Sequence, residues 1–147
     1  MFNISQTAHE LDGMLKDIAQ QAGIFVPISK DLIKYKKYTV LKLPDNTWSV
    51  FLNEGRKKHI GTTFLKVSAF ALCKLHEKHQ LQRIKEIEQN DKIFEKNYID
   101  SLVYKHTYKV TKDAQTRDNA LWRYEIAHAK AKHAKQIIDG MFYASVT

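Results

Sequence analysis

KYTVLKLPDNTWSVFLNEGRKKHIGTTFLKVSAFALCKLHEKH, residues 37–79, is the stretch that decides the fold. Its first half alternates with the two-residue period of a half-buried strand. A strand over Lys37–Leu43 puts Tyr38, Val40 and Lys42 on one face and Thr39, Leu41 and Leu43 on the other. Pro44-Asp45-Asn46-Thr47 is turn chemistry: proline presets φ, and aspartate and asparagine tolerate left-handed backbone. A second strand, Trp48–Asn53, alternates Trp48, Val50 and Leu52 with Ser49, Phe51 and Asn53. Asn53-Glu54-Gly55-Arg56 turns the chain again into a third strand near Lys57–Gly61. So small a sheet needs cover on one face. The helix that begins near Thr63 supplies it with Phe64, Leu65, Val67, Phe70, Leu72 and Leu75. The expected class is α+β, a three-stranded antiparallel meander packed on a helix.

Upstream, Thr7 and Glu10 have capping-box spacing, and Leu11, Met14, Leu15, Ile18 and Ala22 follow the helical period, so a helix is expected over about Ser5–Ala22. Pro27 argues against a regular central strand, and residues 24–36 read as a connector with a short helical turn at Lys30–Tyr35. Downstream, the apolar positions thin to Leu81, Ile84 and Ile87 amid charged residues, the pattern of a partly exposed helix with a narrow interaction stripe. A break or a continuation at Asn90-Asp91 both suit the pattern. Residues 104–110 read as a short strand or a loop. A last helix starts after Thr111 and Asp113 and stops at Gly140, with Ala114, Leu121, Trp122, Ile126, Ala129, His133 and Ile137 as its buried stripe. Ala127, Ala129, Ala131 and Ala134 permit close helix approach. Three units result: residues 1–36, an N-terminal helix and connector; residues 37–76, the sheet–helix core; and residues 77–147, an arm in which helices 77–103 and 113–139 pair antiparallel.

The chain has 147 residues, enough for a core without covalent staples. One cysteine, Cys73, excludes an intramolecular disulfide. With no run of about 20 apolar residues and no basic, then apolar, leader, the expectation is an intracellular protein, cytoplasmic or nucleoid-associated, with no membrane partner. The net charge is +8, from 24 Lys and Arg against 16 Asp and Glu. Residues 29–62 alone hold eight Lys and Arg against three acids. Such an excess suits a polyanion, nucleic acid first. Four of the basic residues are arginine, which favours backbone contact over base readout.

Cys73, His76 and His79 invite a metal reading. Yet Cys73 and His79 are about 9 Å apart along a straight helix, too far to share an ion comfortably. Glu125-x-x-His128 is half of a carboxylate di-iron pattern without its second half. No nucleophile, paired-carboxylate or glycine-loop signature appears, so neither a cofactor nor a catalytic residue is assigned and an enzymatic role is not favoured. The order Trp48-Ser-Val-Phe-Leu52, His59-Ile-Gly-Thr62, then Thr63 to Ala71 resembles the strand–strand–strand–helix order of AP2-type DNA-binding domains, which set a three-stranded sheet in the major groove. The resemblance spans some forty-five residues. It implies that Trp48, Arg56 and Lys58 face the duplex and that Gly61 marks the sheet-to-helix corner. Tyr38-Thr39-Val40 stands where that family typically carries arginine.

The expected function is that of a small basic nucleic-acid-binding accessory protein. The candidate contacts are Lys37, Lys42, Trp48, Arg56, Lys57, Lys58 and His59 on the meander and Lys130, Lys132 and Lys135 on the last helix. The alternative is an assembly component, such as a virion or ribonucleoprotein subunit, acting through its helical arm on a protein partner or on itself.

Overall fold

The computed structural model describes residues 25–145. In chain order they form β1 (Val26–Pro27), β2 (Leu32–Tyr35), β3 (Tyr38–Lys42), β4 (Trp48–Glu54), β5 (Arg56–Thr63), α1 (Lys66–Glu77), α2 (Leu81–Val110) and α3 (Ala114–Ser145). The class is α+β, as expected. The helix expected over Ser5–Ala22 lies outside the described residues.

The sheet is an antiparallel meander of five strands in chain order, not three. The two further strands come from the stretch expected to be a connector. Leu32-Ile33-Lys34-Tyr35 pairs with β3 through Ile33↔Val40 and Tyr35↔Tyr38, which buries Ile33 and Tyr35. Pro27 is tolerated because β1 is an edge strand of two residues, where a missing ladder donor costs little. Tight turns join the later strands. Gly55 sits at φ +66°, a left-handed conformation that glycine adopts without a Cβ penalty.

Alternation gives the sheet two different faces. Ile33, Tyr35, Tyr38, Val40, Trp48 and Val50 point inward and are buried beneath α1. The helix lies close: a Cβ on Gly61 would come 3.0 Å from Leu72 Cδ1. At the Val50/Phe51 bulge Ile60 is the extra residue, so Gly61 faces Val50 and His59 faces Phe51.

The long helices correct several expectations. Of the two readings open at Asn90-Asp91 the helix takes continuation, and residues 104–110, expected as a short strand or a loop, stay helical, so α2 runs unbroken for 30 residues. Gly140 lies inside α3, not at its end. At about 1.5 Å per residue α2 and α3 are about 45 and 48 Å long against about 18 Å for α1, so their paired far ends reach past the sheet as an arm. The buried stripe of α3 is Ala120, Tyr124, Ala127, Ala131, Ala134, Ile138 and Phe142. The expected stripe is turned away: Trp122 is 61% exposed, and Ile126 and His133 are exposed as well. Small residues at four positions of that stripe let the helix axes approach, and Trp122 and Ile126 are left outside. Ile84 and Ile87 belong to the core, while their expected companion Leu81 is exposed.

Asp91 joins arm to sheet. Its carboxylate accepts hydrogen bonds from the backbone N–H groups of Phe64 (2.7 Å) and Leu65 (2.9 Å), at the start of α1, where no side chain of α1 itself caps the helix. Burial raises the Asp91 pKa, against the lowering effect of those two bonds and of the Ser68 hydroxyl.

Candidate functional site

The turn at Lys36-Lys37 and the turn at Gly55 lie at the same end of the meander, side by side, since the Asn53 N–H donates to the Lys37 carbonyl at 2.7 Å. That end therefore gathers Lys36, Lys37, Arg56, Lys57 and Lys58, all exposed. The last turn of α1 arrives there too, with His76 and Glu77. Lys37 is paired with Glu54 at 3.1 Å and Lys36 with Glu77 at 2.8 Å, both on the surface.

Between these turns and α1 is a cavity of about 350 Å³ lined by Lys36, Lys37, Tyr38, Leu52, His76 and Glu77, among others. The Tyr38 hydroxyl and His76 Nδ1 lie 2.7 Å apart, and Tyr35 donates to Glu77 at 2.5 Å. Burial, then the Lys58 ammonium and His79, lower the His76 pKa. Burial raises the Tyr38 hydroxyl to about 12, with Cys73, Glu77 and Glu54 adding to the effect. Burial works against ionised Glu77, but the hydrogen bonds from Lys36 and Tyr35 outweigh it and leave the carboxyl below its ordinary value.

The outward face of the sheet carries a second arrangement. Cross-strand register places Lys34, Thr39, Phe51 and His59 in one row over four strands, followed by Asn53 beside Lys57. The Lys57 ammonium lies over the Phe51 ring, 4.3 Å from its centre, and the His59 ring tilts against it at 5.2 Å. His59 Nε2, the Thr62 hydroxyl and the Ser49 hydroxyl form a chain of 3.0 and 2.8 Å contacts. The row contains no carboxylate. It combines a half-buried aromatic ring, two ammoniums and several neutral hydrogen-bonding groups.

The ten expected contact residues therefore separate. Lys57 and His59 stand together on the outward face, and Arg56 joins them at the basic end, opposite Glu54 and on the side of Lys58. Lys37 adjoins them but is engaged by Glu54. Lys58 pairs opposite Leu52, on the inward side. Trp48 is buried at 8% exposure beneath Lys66, and Lys42 lies beside it at the far end of the sheet. Lys130 and Lys132 are exposed on α3, but Lys135 is 4% exposed and bound to Asp139 Oδ1 at 2.7 Å. Lys130 and Lys132, two residues apart, are about 200° apart around the helix, and Lys135, although nearer to Lys132, is buried, so the three do not form one exposed face. Lys34, Lys36 and Phe51 were missed. Only the β2 pairing, hidden by the connector reading, would have brought Lys34 into the row of Phe51, one strand beyond Thr39.

Cys73 is fully buried, and its thiol is raised well above the ordinary range, first by burial. Among the described residues no three His, Cys, Asp or Glu side chains converge as a metal site, and no helix is long and apolar enough to cross a membrane. Comparisons with protein-family models, curated proteins and solved structures find no match to this chain.

Proposed function

We propose that this protein binds nucleic acid through the outward face and basic end of its sheet, by contacts that are mainly to the phosphate backbone. The observation that carries this reading is the cross-strand row Lys34–Thr39–Phe51–His59 with Lys57 over the ring, flanked by Arg56. Ammonium and guanidinium groups neutralise phosphates and release counterions, whatever the sequence. Phe51 takes an unstacked base once the flexible Lys57 side chain swings from its ring to a phosphate, a sequence-tolerant contact worth about 1–3 kcal/mol. Single strands are then favoured over duplex. Trp48 and Lys135 take no part.

The test is fluorescence anisotropy with random-sequence single-stranded DNA, single-stranded RNA and duplex over a salt series. Replacing Lys34, Arg56 and Lys57 together by Ala should weaken binding on all sequences and reduce the slope of log affinity against log salt by roughly 2–3, at about 0.7–0.9 per lost phosphate contact. Phe51→Ala should weaken single strands more than duplex. An unchanged slope in the triple variant refutes the assignment.

A second reading, assembly through the arm, is favoured by one observation. Trp122, at 61% exposure, and Ile126 lie on the side of α3 turned away from α2. Exposed apolar groups rimmed by charge mark contact surfaces when they are contiguous. Trp122→Ser with Ile126→Ser should then reduce the mass in solution, or abolish capture of a partner, with little loss of stability.

A further inference from the structure

At the opposite end of the sheet from the basic turns, a groove of about 470 Å³ opens between the sheet and α2. That volume is in the range of small-molecule sites. Trp48 and Phe64 form its floor, and Ile99 and Leu102 of α2 stand along one wall, 48% and 45% exposed. Two lysines from different elements converge on the same ring: Lys42 Nζ is 5.8 Å and Lys66 Nζ 5.1 Å from the Trp48 centre. Neither ammonium has an ion pair among the described residues. The Asp45 carboxylate on the rim is bound within its own turn by the Thr47 N–H and hydroxyl. Lys66 is lowered from its ordinary value, first by burial and then by the like charge of Lys42. Two cations held together in a partly dry recess repel each other, and one anionic group between them relieves both costs.

We propose that this groove binds a small amphipathic anion, with a carboxylate, sulfonate or phosphate head between Lys42 and Lys66 and an apolar body against Ile99 and Leu102. This site is separate from the proposed nucleic-acid face, and either stands without the other.

The probe is 8-anilinonaphthalene-1-sulfonate, with the full chain carrying Trp122→Phe so that Trp48 is the only tryptophan. Saturable binding with energy transfer from Trp48 is expected. Lys42→Met with Lys66→Met should weaken it at least tenfold, Lys42→Arg with Lys66→Arg should restore it, and Lys85→Met, at an exposed position of α2 outside both proposed sites, should leave it unchanged. Neutral N-phenyl-1-naphthylamine should bind at least tenfold more weakly than the sulfonate. Equal binding by the methionine pair, equal binding of the neutral analogue or no saturable binding would overturn the proposal. So would loss of probe as protein concentration rises together with a dimer mass, which would assign the groove to a second copy of the chain.

Discussion

The sheet end of the molecule and the helix pair are filled by opposite means. Around the sheet, large rings meet: Phe25 lies 4.2 Å from Phe70 and 4.7 Å from Tyr35 between ring centres, with Phe142 at 6.2 Å. Between α2 and α3, the buried groups of α3 include four alanines, Ala120, Ala127, Ala131 and Ala134, beside the ring of Tyr124, and those of α2 include the small Asn97 and Ser101. A sheet face separates its covering helix by the thickness of its side chains, so bulk is needed to fill the space. Two helices can approach until their backbones nearly touch, and bulk then has to leave. The same residue type, tryptophan, is accordingly core in one region and surface in the other.

The two tryptophans give the widest test of that contrast. Trp48→Ala should cost about 3–5 kcal/mol in denaturant unfolding, the usual loss for a buried ring. A cost under about 1 kcal/mol would mean that the sheet end is not packed by its rings. Next in size is an intrusion into the arm: Ala131→Leu should destabilise by about 1–3 kcal/mol, because the close approach has no room for four carbons. A neutral or stabilising outcome would show the helices to be further apart.

A smaller effect separates the sheet end by pH. His76 is lowered on folding, so its contribution is complete above the ordinary histidine value of 6.5 and is lost as pH falls through the lowered folded value. The melting temperature should drop between pH 7.5 and 5.5 by more in the natural chain than in His76→Gln, whose amide keeps a partner for Tyr38. Parallel profiles would exclude His76 as the cause. Smallest of all, Trp122→Ala should change stability within about 0.5 kcal/mol, like most exposed substitutions.

The division between the regions also explains what the sequence disclosed. Strands from Tyr38 to Thr63 and the helix behind them were legible because alternation and turn residues agree there, and their bounds moved by only a few residues. The edge hairpin was not. Pro27 and the lysines of residues 30–37 suggest a connector, and only pairing with β3 makes Leu32–Tyr35 a strand. In the arm the rule that large apolar residues face inward selects the wrong side of α3; of the close-approach set Ala127, Ala129, Ala131 and Ala134, all but Ala129 are buried. For the candidate site, Arg56, Lys57 and His59 were visible as a basic turn. Their alignment with Phe51 and Lys34 depends on register across four strands, which no local pattern encodes.

The Asp91 carboxylate carries a consequence for how the chain is made. The N–H groups of Phe64 and Leu65, on the approach to α1, are satisfied by a residue 27 and 26 positions further on, within another helix. While the chain emerges from its N-terminus, the meander and α1 exist for a time without that partner, with buried donors waiting for water to be replaced. A nascent chain stopped at residue 77 has β1 to β5 and all of α1, yet it lacks the group that holds the approach to that helix. Completion of the sheet unit therefore waits on the first three turns of α2, and the boundary between core and arm that looks natural in the chain is not one at which synthesis could pause with a finished fold.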